Sequence, residues 1–315
     1  MFTVLERVRH YARTREDHRS AGQTPAVNVS VLGGGIMGSG IAQIAACAGH
    51  DVWVLDVDDP ALDQARSMIE SSLERLAKKH VFTTEDCEQA LSRLRFTSVL
   101  AEAVGDAEVL VEAVPEVLEL KRDLLAEAAR LAPEHCLLAT NTSQLSITAI
   151  GATLGGAVER LVGMHFFNPP ALMPLVELMP GTDTNEATLE RATTFAHGLG
   201  KETVICRKDA PGFITTRCSV ILRLECMRML EEGVATPEDI DKALRLGLNH
   251  PMGPLELGDM VGLDTFLQCA DGLTEAHGER FSAPAVAREL VSTGRLGRKT
   301  SRGIYEYDAD GRRTS

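Results

Sequence analysis

Basic side chains are scarce in this chain. Its 315 residues hold 32 Lys and Arg against 45 Asp and Glu, a formal net charge of −13. That balance argues against nucleic acid as a partner, because a phosphate backbone is bound through a basic footprint. A small anionic ligand needs only a local patch and stays open. Long apolar runs are also missing. Stretches such as 109–118 are short and carry carboxylates, far from the roughly 20 apolar residues of a spanning helix, so no membrane partner is expected. Seven cysteines are present without one C-x-x-C pair, which indicates neither a zinc site nor a disulfide framework, and no metal is expected. Cys47 lies in an Ala-rich helical stretch and reads as a small hydrophobe. This cysteine usage suits a reducing cytoplasm.

Residues 1–25 are rich in Arg, but Glu6, Glu16 and Asp17 contradict the acid-poor composition of a transit peptide, and no apolar core of a secretory signal is present. The segment is expected to be a short amphipathic helix or frayed extension, with Pro25 marking entry into the first strand. Length alone suggests two domains.

From Val27 the chain reads VNVSVLGGGIMGSGIAQIAACAGHDVWVLDV. A β-rich run leads into Gly33, Gly35 and Gly38 in G-x-G-x-x-G spacing, then an Ala/Ile helix, a turn at Gly49-His50, a second apolar strand and Asp56. The first glycine permits a tight turn, the second lets backbone approach a pyrophosphate, and the third lets helix and strand pack closely. Gly33, Gly35, Ile36, Met37 and Gly38 thus form a phosphate turn at a helix N-terminus. Asp56 stands about 20 residues on, where a carboxylate accepts from a ribose 2′-OH. NAD is preferred over NADP, since a 2′-phosphate would meet that negative charge.

Residues 58–79 read as a helix with Ile69, Leu73 and Leu76 on one face, ending in Lys78-Lys79-His80. These cations either oppose the helix dipole or offer the local patch for an anion. Farther on, VLVEAV leads into Pro115-Glu116 and the helix LELKRDLLAEAARLA, and CLLATNTSQ is a buried strand ending in Asn141, Thr142 and Ser143. In open α/β sheets, ligands sit beyond the carboxyl ends of strands, so these polar residues are placed to meet a cofactor or substrate.

Two apolar strands, VGMHFF and LVELM, flank Asn168-Pro169-Pro170, whose prolines force a loop. His165 lies in the first and Glu177 in the second. A carboxylate within so apolar a run must be paired, and the histidine across the loop is its natural partner. Such a pair suits alcohol oxidation: His165 removes the hydroxyl proton while Glu177 fixes the ring and stabilises the imidazolium. Asn168 would position either a nicotinamide carboxamide or the pair itself. The competing reading is a satisfied core histidine.

From Asp209 the composition shifts to long helices. PGFITTRCSVILRLECMRMLEEGVA suits one of them, with apolar positions on more than one face. Thr236-Pro237-Glu238-Asp239 is a helix start with Thr as N-cap and Pro at the first position. The expected fold class is α/β: a Rossmann-type doubly wound, mostly parallel sheet over 26–208, followed by an all-helical C-terminal domain over 209–315.

The segments GGGIMGSGIAQ, NTSQLSIT, GMHFFNPPALMPLVEL, KDAPGFITTR, EEGVATPEDIDKALRLGLNHPMGPLELGD and GRLGRKTSRGIYEY together resemble the L-3-hydroxyacyl-CoA dehydrogenase family, including its bacterial 3-hydroxybutyryl-CoA members. The resemblance implies NAD-dependent oxidation of a 3-hydroxyacyl thioester in fatty acid metabolism, with His165 and Glu177 catalytic and Ser143 touching substrate. It implies NAD contacts at Asp56, Glu116, Lys121, Asn168 and Lys299, beside the strand-end candidates Asn141 and Ser143, coenzyme A contacts at Ser72 and Lys79, and a homodimer formed through the helical domain. The chain departs from the family pattern at Thr216, where an Asn is usual; Thr keeps a hydroxyl but loses the carboxamide's paired donor and acceptor. Gln144 stands where a second serine is frequent. Rival readings are the same chemistry on an acyl group carried by an acyl carrier protein, related sugar-acid or carnitine dehydrogenases, and a non-enzymatic NAD(H)-binding structural or sensory protein.

Overall fold

The computed structural model describes residues 25–314. The expectations for residues 1–24 fall outside them. The chain divides into two compact units, the first ending at Asp209 and the second spanning Ala210–Ser315.

In the first unit the β-branched run β1 (Asn28–Leu32) leads into helix α1 (Ile36–Ala48) and β2 (Asp51–Leu55). Helix α1 is buried on almost every side, from Gly38 to Cys47, as its Ala- and Ile-rich composition requires. It stops at Gly49, which closes the helix in the left-handed conformation at φ +100°. Helix α2 (Asp59–Lys78) follows, capped by the Asp58 carboxylate on the Ala61 N–H, with Leu62, Ala65, Ile69, Leu73 and Leu76 buried as one stripe. The expected apolar face of residues 58–79 is therefore the packed one.

Further along come α3 (Thr84–Ser92), β3 (Leu94–Thr97), α4 (Leu100–Val104), β4 (Val109–Glu112), α5 (Leu118–Leu131), β5 (Leu137–Thr140) and α6 (Ile147–Gly151). β6 (Leu161–Phe166), β7 (Leu175–Pro180), α7 (Glu186–Gly198) and β8 (Glu202–Ile205) complete the unit. The strands form one eight-stranded sheet in the order β3-β2-β1-β4-β5-β6-β7-β8. Every neighbouring pair is parallel except β6 and β7. The order reverses between β1 and β4, which creates a crevice beyond their carboxyl ends, the usual ligand position in an open α/β sheet. The mostly parallel, doubly wound sheet expected from sequence is present.

The second unit consists of α8 (Thr215–Glu231), α9 (Pro237–Gly247), α10 (Pro254–Val261), α11 (Leu263–His277) and α12 (Ala285–Ser292). The sequence reading carried the first of these helices back to Pro211. Instead, Gly212 and Phe213 both take positive φ, +77° and +49°, a conformation no right-handed helix accepts, so α8 begins only at Thr215. Thr236 caps α9 by accepting from the Asp239 N–H, with Pro237 at the first position, as expected. The tail holds one short 3-10 turn, Arg298–Thr300, and isolated bridges at Gly297, Arg302, Glu306, Tyr307 and Arg313. They bring Tyr305 and Tyr307 onto two buried carboxylates. Asp241 accepts from the Leu255 and Glu256 amides and the Tyr305 hydroxyl, and Asp259 from the Ile304 and Tyr305 amides and the Tyr307 hydroxyl. Burial holds the Asp259 carboxyl above its ordinary value despite these donors.

Candidate active site

The phosphate turn is built where β1 ends. Gly33 takes φ +99°, and a Cβ there would meet the Ala113 carbonyl oxygen at 2.9 Å, so only glycine fits so close to the chain leaving β4. A Cβ on Gly38 would run into the Gly33 carbonyl oxygen, whereas one on Gly35 would meet no atom within 4 Å. This contrast fits a dinucleotide: Gly33 and Gly38 are small because protein backbone lies against them, and Gly35 faces open space at the N-terminus of α1. No side chain caps that helix, so its first amides can meet a phosphate.

Asp56 follows β2. Its Oδ2 accepts from the Gly34 N–H at 2.7 Å and its Oδ1 from the Val57 N–H at 2.7 Å. Two backbone donors thus orient the carboxylate, and each oxygen keeps a lone pair for a ribose hydroxyl. Asp56→Ala should therefore weaken NADH binding about tenfold to a hundredfold, the value of one charge-assisted hydrogen bond, and narrow the discrimination against NADPH. Fluorescence titration with both nucleotides measures it, and unchanged selectivity would remove Asp56 from cofactor recognition.

His165 and Glu177 lie where the sheet makes its one antiparallel pairing, β6 with β7. In the β6–β7 register His165 stands directly opposite Glu177, and across it His165 Nδ1 lies 2.8 Å from Glu177 Oε2. The histidine is 6% exposed and the carboxylate 0%. Opposed residues of an antiparallel pair share one face, which places both groups on the same side of the sheet. With Nδ1–H donating to the carboxylate, Nε2 is left as the proton acceptor. The Phe167 ring flanks the imidazole at 4.5 Å between centroids. Asn141 joins this corner to β5: its Oδ1 accepts from the Phe166 N–H at 2.8 Å.

The loop between these strands is fixed from both sides. Pro170 lies against Gly40 of α1, where a Cβ would meet the proline Cδ at 2.7 Å. From the other direction the Lys201 ammonium donates to the Pro170 carbonyl at 2.6 Å and the Met173 carbonyl at 3.0 Å. Burial pushes the Lys201 ammonium down to about 8. Asn168 opens this loop and is exposed.

Beyond β4 and β5, Glu116 Oε1 accepts from the Thr142 hydroxyl and from the Ser143 and Gln144 amides at 2.6, 2.8 and 3.1 Å. Ser143 is thereby set at the carboxyl end of β5. Lys121 is 1% exposed and points inward, onto Glu112 and Glu116. Ser72 is half-buried on α2, and Lys79, exposed, ends that helix. Thr216 and Lys299 belong to the second unit. Thr216 sits in the first turn of α8, and Lys299 pairs with Asp264 at 2.6 Å. Sequence reasoning passed over Glu112, Thr140 and Lys201. Among the described residues no group of His, Cys, Asp and Glu could hold a metal ion, and no helix is long and apolar enough to cross a membrane.

Residues 28–210 match the NAD binding domain of 3-hydroxyacyl-CoA dehydrogenase, and residues 212–307 match the C-terminal domain of the same enzyme. The chain belongs to the 3-hydroxyacyl-CoA dehydrogenase family. A probable 3-hydroxybutyryl-CoA dehydrogenase of Deinococcus radiodurans is 40% identical over 278 residues, covering 88% of this chain and 99% of that one. The crystal structure of (S)-3-hydroxybutyryl-CoA dehydrogenase from Ralstonia eutropha superimposes with a TM-score of 0.86 at 37% identity, covering 90% of this chain and all of the other. A 3-hydroxyadipyl-CoA dehydrogenase of Escherichia coli is 40% identical over 284 residues, 90% of this chain and 59% of that protein. Family membership makes this chain an NAD-dependent oxidoreductase of 3-hydroxyacyl-CoA, with the cofactor belonging to the sheet unit.

Proposed function

We propose that the family's reaction runs here at the His165–Glu177 pair, on a short 3-hydroxyacyl-CoA of the 3-hydroxybutyryl kind. The observation that carries this reading is the 2.8 Å bond between His165 Nδ1 and Glu177 Oε2, at the carboxyl end of a sheet whose phosphate turn lies at the same edge. Bound at that turn, NAD+ supplies the acceptor for the hydride leaving C3. His165 takes the 3-hydroxyl proton at Nε2, and Glu177 stabilises the imidazolium so formed. In the reverse direction the same imidazolium returns the proton to the 3-oxo group.

Ser143 and Asn141, which follow β5, frame the substrate oxygen and the nicotinamide side, and Asn168 on the proline loop adds a carboxamide to the same task. Gly33 to Gly38, Asp56 and Glu116 serve the cofactor end, with Lys121 acting from behind Glu116, while Lys79 in the Lys78-Lys79-His80 cluster supplies the local cationic patch for coenzyme A, and Ser72 a hydroxyl, in a chain of net charge −13. Within the helical unit, Thr216 offers a hydroxyl where the family pattern has a carboxamide, and Lys299 an ammonium paired with Asp264. Exposed Leu246, Leu248, Met260 and Val261 on that unit support a homodimer formed through it. The seven free cysteines suit a cytoplasmic location.

Purified protein given NADH should consume it with acetoacetyl-CoA, read as falling absorbance. No turnover with any short or medium 3-oxoacyl-CoA sinks the proposal. Higher kcat/KM for the same acyl group on an acyl carrier protein would move the substrate from coenzyme A to the carrier.

A further inference from the structure

The end of β4 holds a buried ionic chain that the reaction itself does not use. Glu112, the last residue of β4, is 0% exposed. Its Oε1 accepts from the Val114 N–H at 2.7 Å and from the Lys121 ammonium at 2.8 Å, and its Oε2 from the Thr140 hydroxyl at 2.6 Å. Lys121, on α5, also donates to the Val114 carbonyl at 3.0 Å and stands 3.4 Å from Glu116 Oε2. Glu116 then gathers the three donors from residues 142–144 with its other oxygen. Burial raises the Glu112 carboxyl above its ordinary value, opposed by the Lys121 charge and these hydrogen bonds.

Two carboxylates thus share one ammonium. Glu112 is fully enclosed and anchors it, whereas the Glu116 side chain is 26% exposed and meets the loop that carries Ser143. A buried ammonium held only from below would be costly, and one drawn wholly to Glu116 would pull that carboxylate away from the loop. We propose that Glu112 is a positioning residue for the cofactor end of the site: acting through Lys121, it sets Glu116 and, with it, residues 142–144. The proposal rests on the reading of this sheet edge as the NAD site.

The test separates holding the fold from holding Glu116. Glu112→Gln keeps one carbonyl oxygen for the Val114 N–H and turns an amide N–H to the Thr140 hydroxyl, which can accept it. The change removes the negative charge beneath the ammonium, which is left stranded with Glu116 as its counter-ion. It should lower the melting temperature and raise the NADH Kd about tenfold or more, the scale of a charge-assisted hydrogen bond. Adding Lys121→Met removes the stranded charge, so the melting temperature should recover, since replacing a buried ion pair by apolar groups is often neutral. NADH affinity should stay low, with faster hydrogen exchange at the Ser143 and Gln144 amides. Affinity and exchange that recover together with stability overturn the proposal. Should the double variant not fold, Glu116→Gln leaves the buried pair intact and should reproduce the lost affinity without lowering the melting temperature; wild-type affinity there also overturns it. Failure of the unaltered protein to bind NADH would remove the functional reading instead.

Discussion

Replacing His165 with Gln should lower kcat by roughly 10²–10⁴-fold, the range of a general base, while leaving NADH affinity within about twofold of the parent. The separation follows from where the residue sits. His165 faces Glu177 across β6 and β7, whereas the phosphate turn and Asp56 follow β1 and β2, on the other side of the sheet's switch point. Gln keeps a donor for the Glu177 carboxylate, so that buried charge is not abandoned, but its amide cannot take a proton near neutral pH. Steady-state rates with acetoacetyl-CoA and fluorescence titration with NADH read the two quantities independently. An unaffected rate removes His165 from the chemistry; joint loss of rate and binding makes it a structural residue.

Gly38→Ala should produce the largest loss in cofactor binding together with a loss of stability. The new methyl group would collide with the Gly33 carbonyl oxygen, and that peptide cannot retreat. Gly33 is held by its own N–H on the Leu55 carbonyl at 2.8 Å and has Ala113 against its α-carbon. Overpacking of this kind costs about 1–3 kcal/mol, or several degrees in melting temperature for a unit of this size. It would also displace the turn whose amides meet the phosphates. Gly35→Ala is the control. Its φ is −64° and no atom lies within 4 Å of the added Cβ, so the melting temperature should hold to within about 2 °C while NADH affinity falls. Gly35→Ala with parental affinity would mean that the turn does not cradle a phosphate.

Local pattern made much of this legible. The stripe of Ile69, Leu73 and Leu76, the glycine spacing and the apolar runs around His165 and Glu177 each record a local pattern that packing then uses. What stayed hidden was contributed by contacts distant in sequence. Nothing in the sequence around Lys201 announces that its ammonium lies on the carbonyls of Pro170 and Met173. Lys121 shows another side of this: the family resemblance names it as an NAD contact, and nothing in its local sequence announces that its ammonium is buried between Glu112 and Glu116. Glu112 itself carried a usable signal. It is a carboxylate inside an apolar strand, the same anomaly that singles out Glu177, and the argument applied to one applies to the other. The start of α8 was missed because positive φ at Phe213 is a tertiary demand that its side chain does not announce.

The tyrosines of the tail bear on the order of events during synthesis. Asp241 and Asp259 are buried in the helical unit, yet part of their hydrogen bonding comes from residues 304–307. While the chain emerges from the ribosome, the five helices can assemble only around carboxylates that still lack these donors. The sheet unit carries all its own strands and has no such debt, so it can close first. The helical unit reaches its final form only after Tyr307 is free of the exit tunnel.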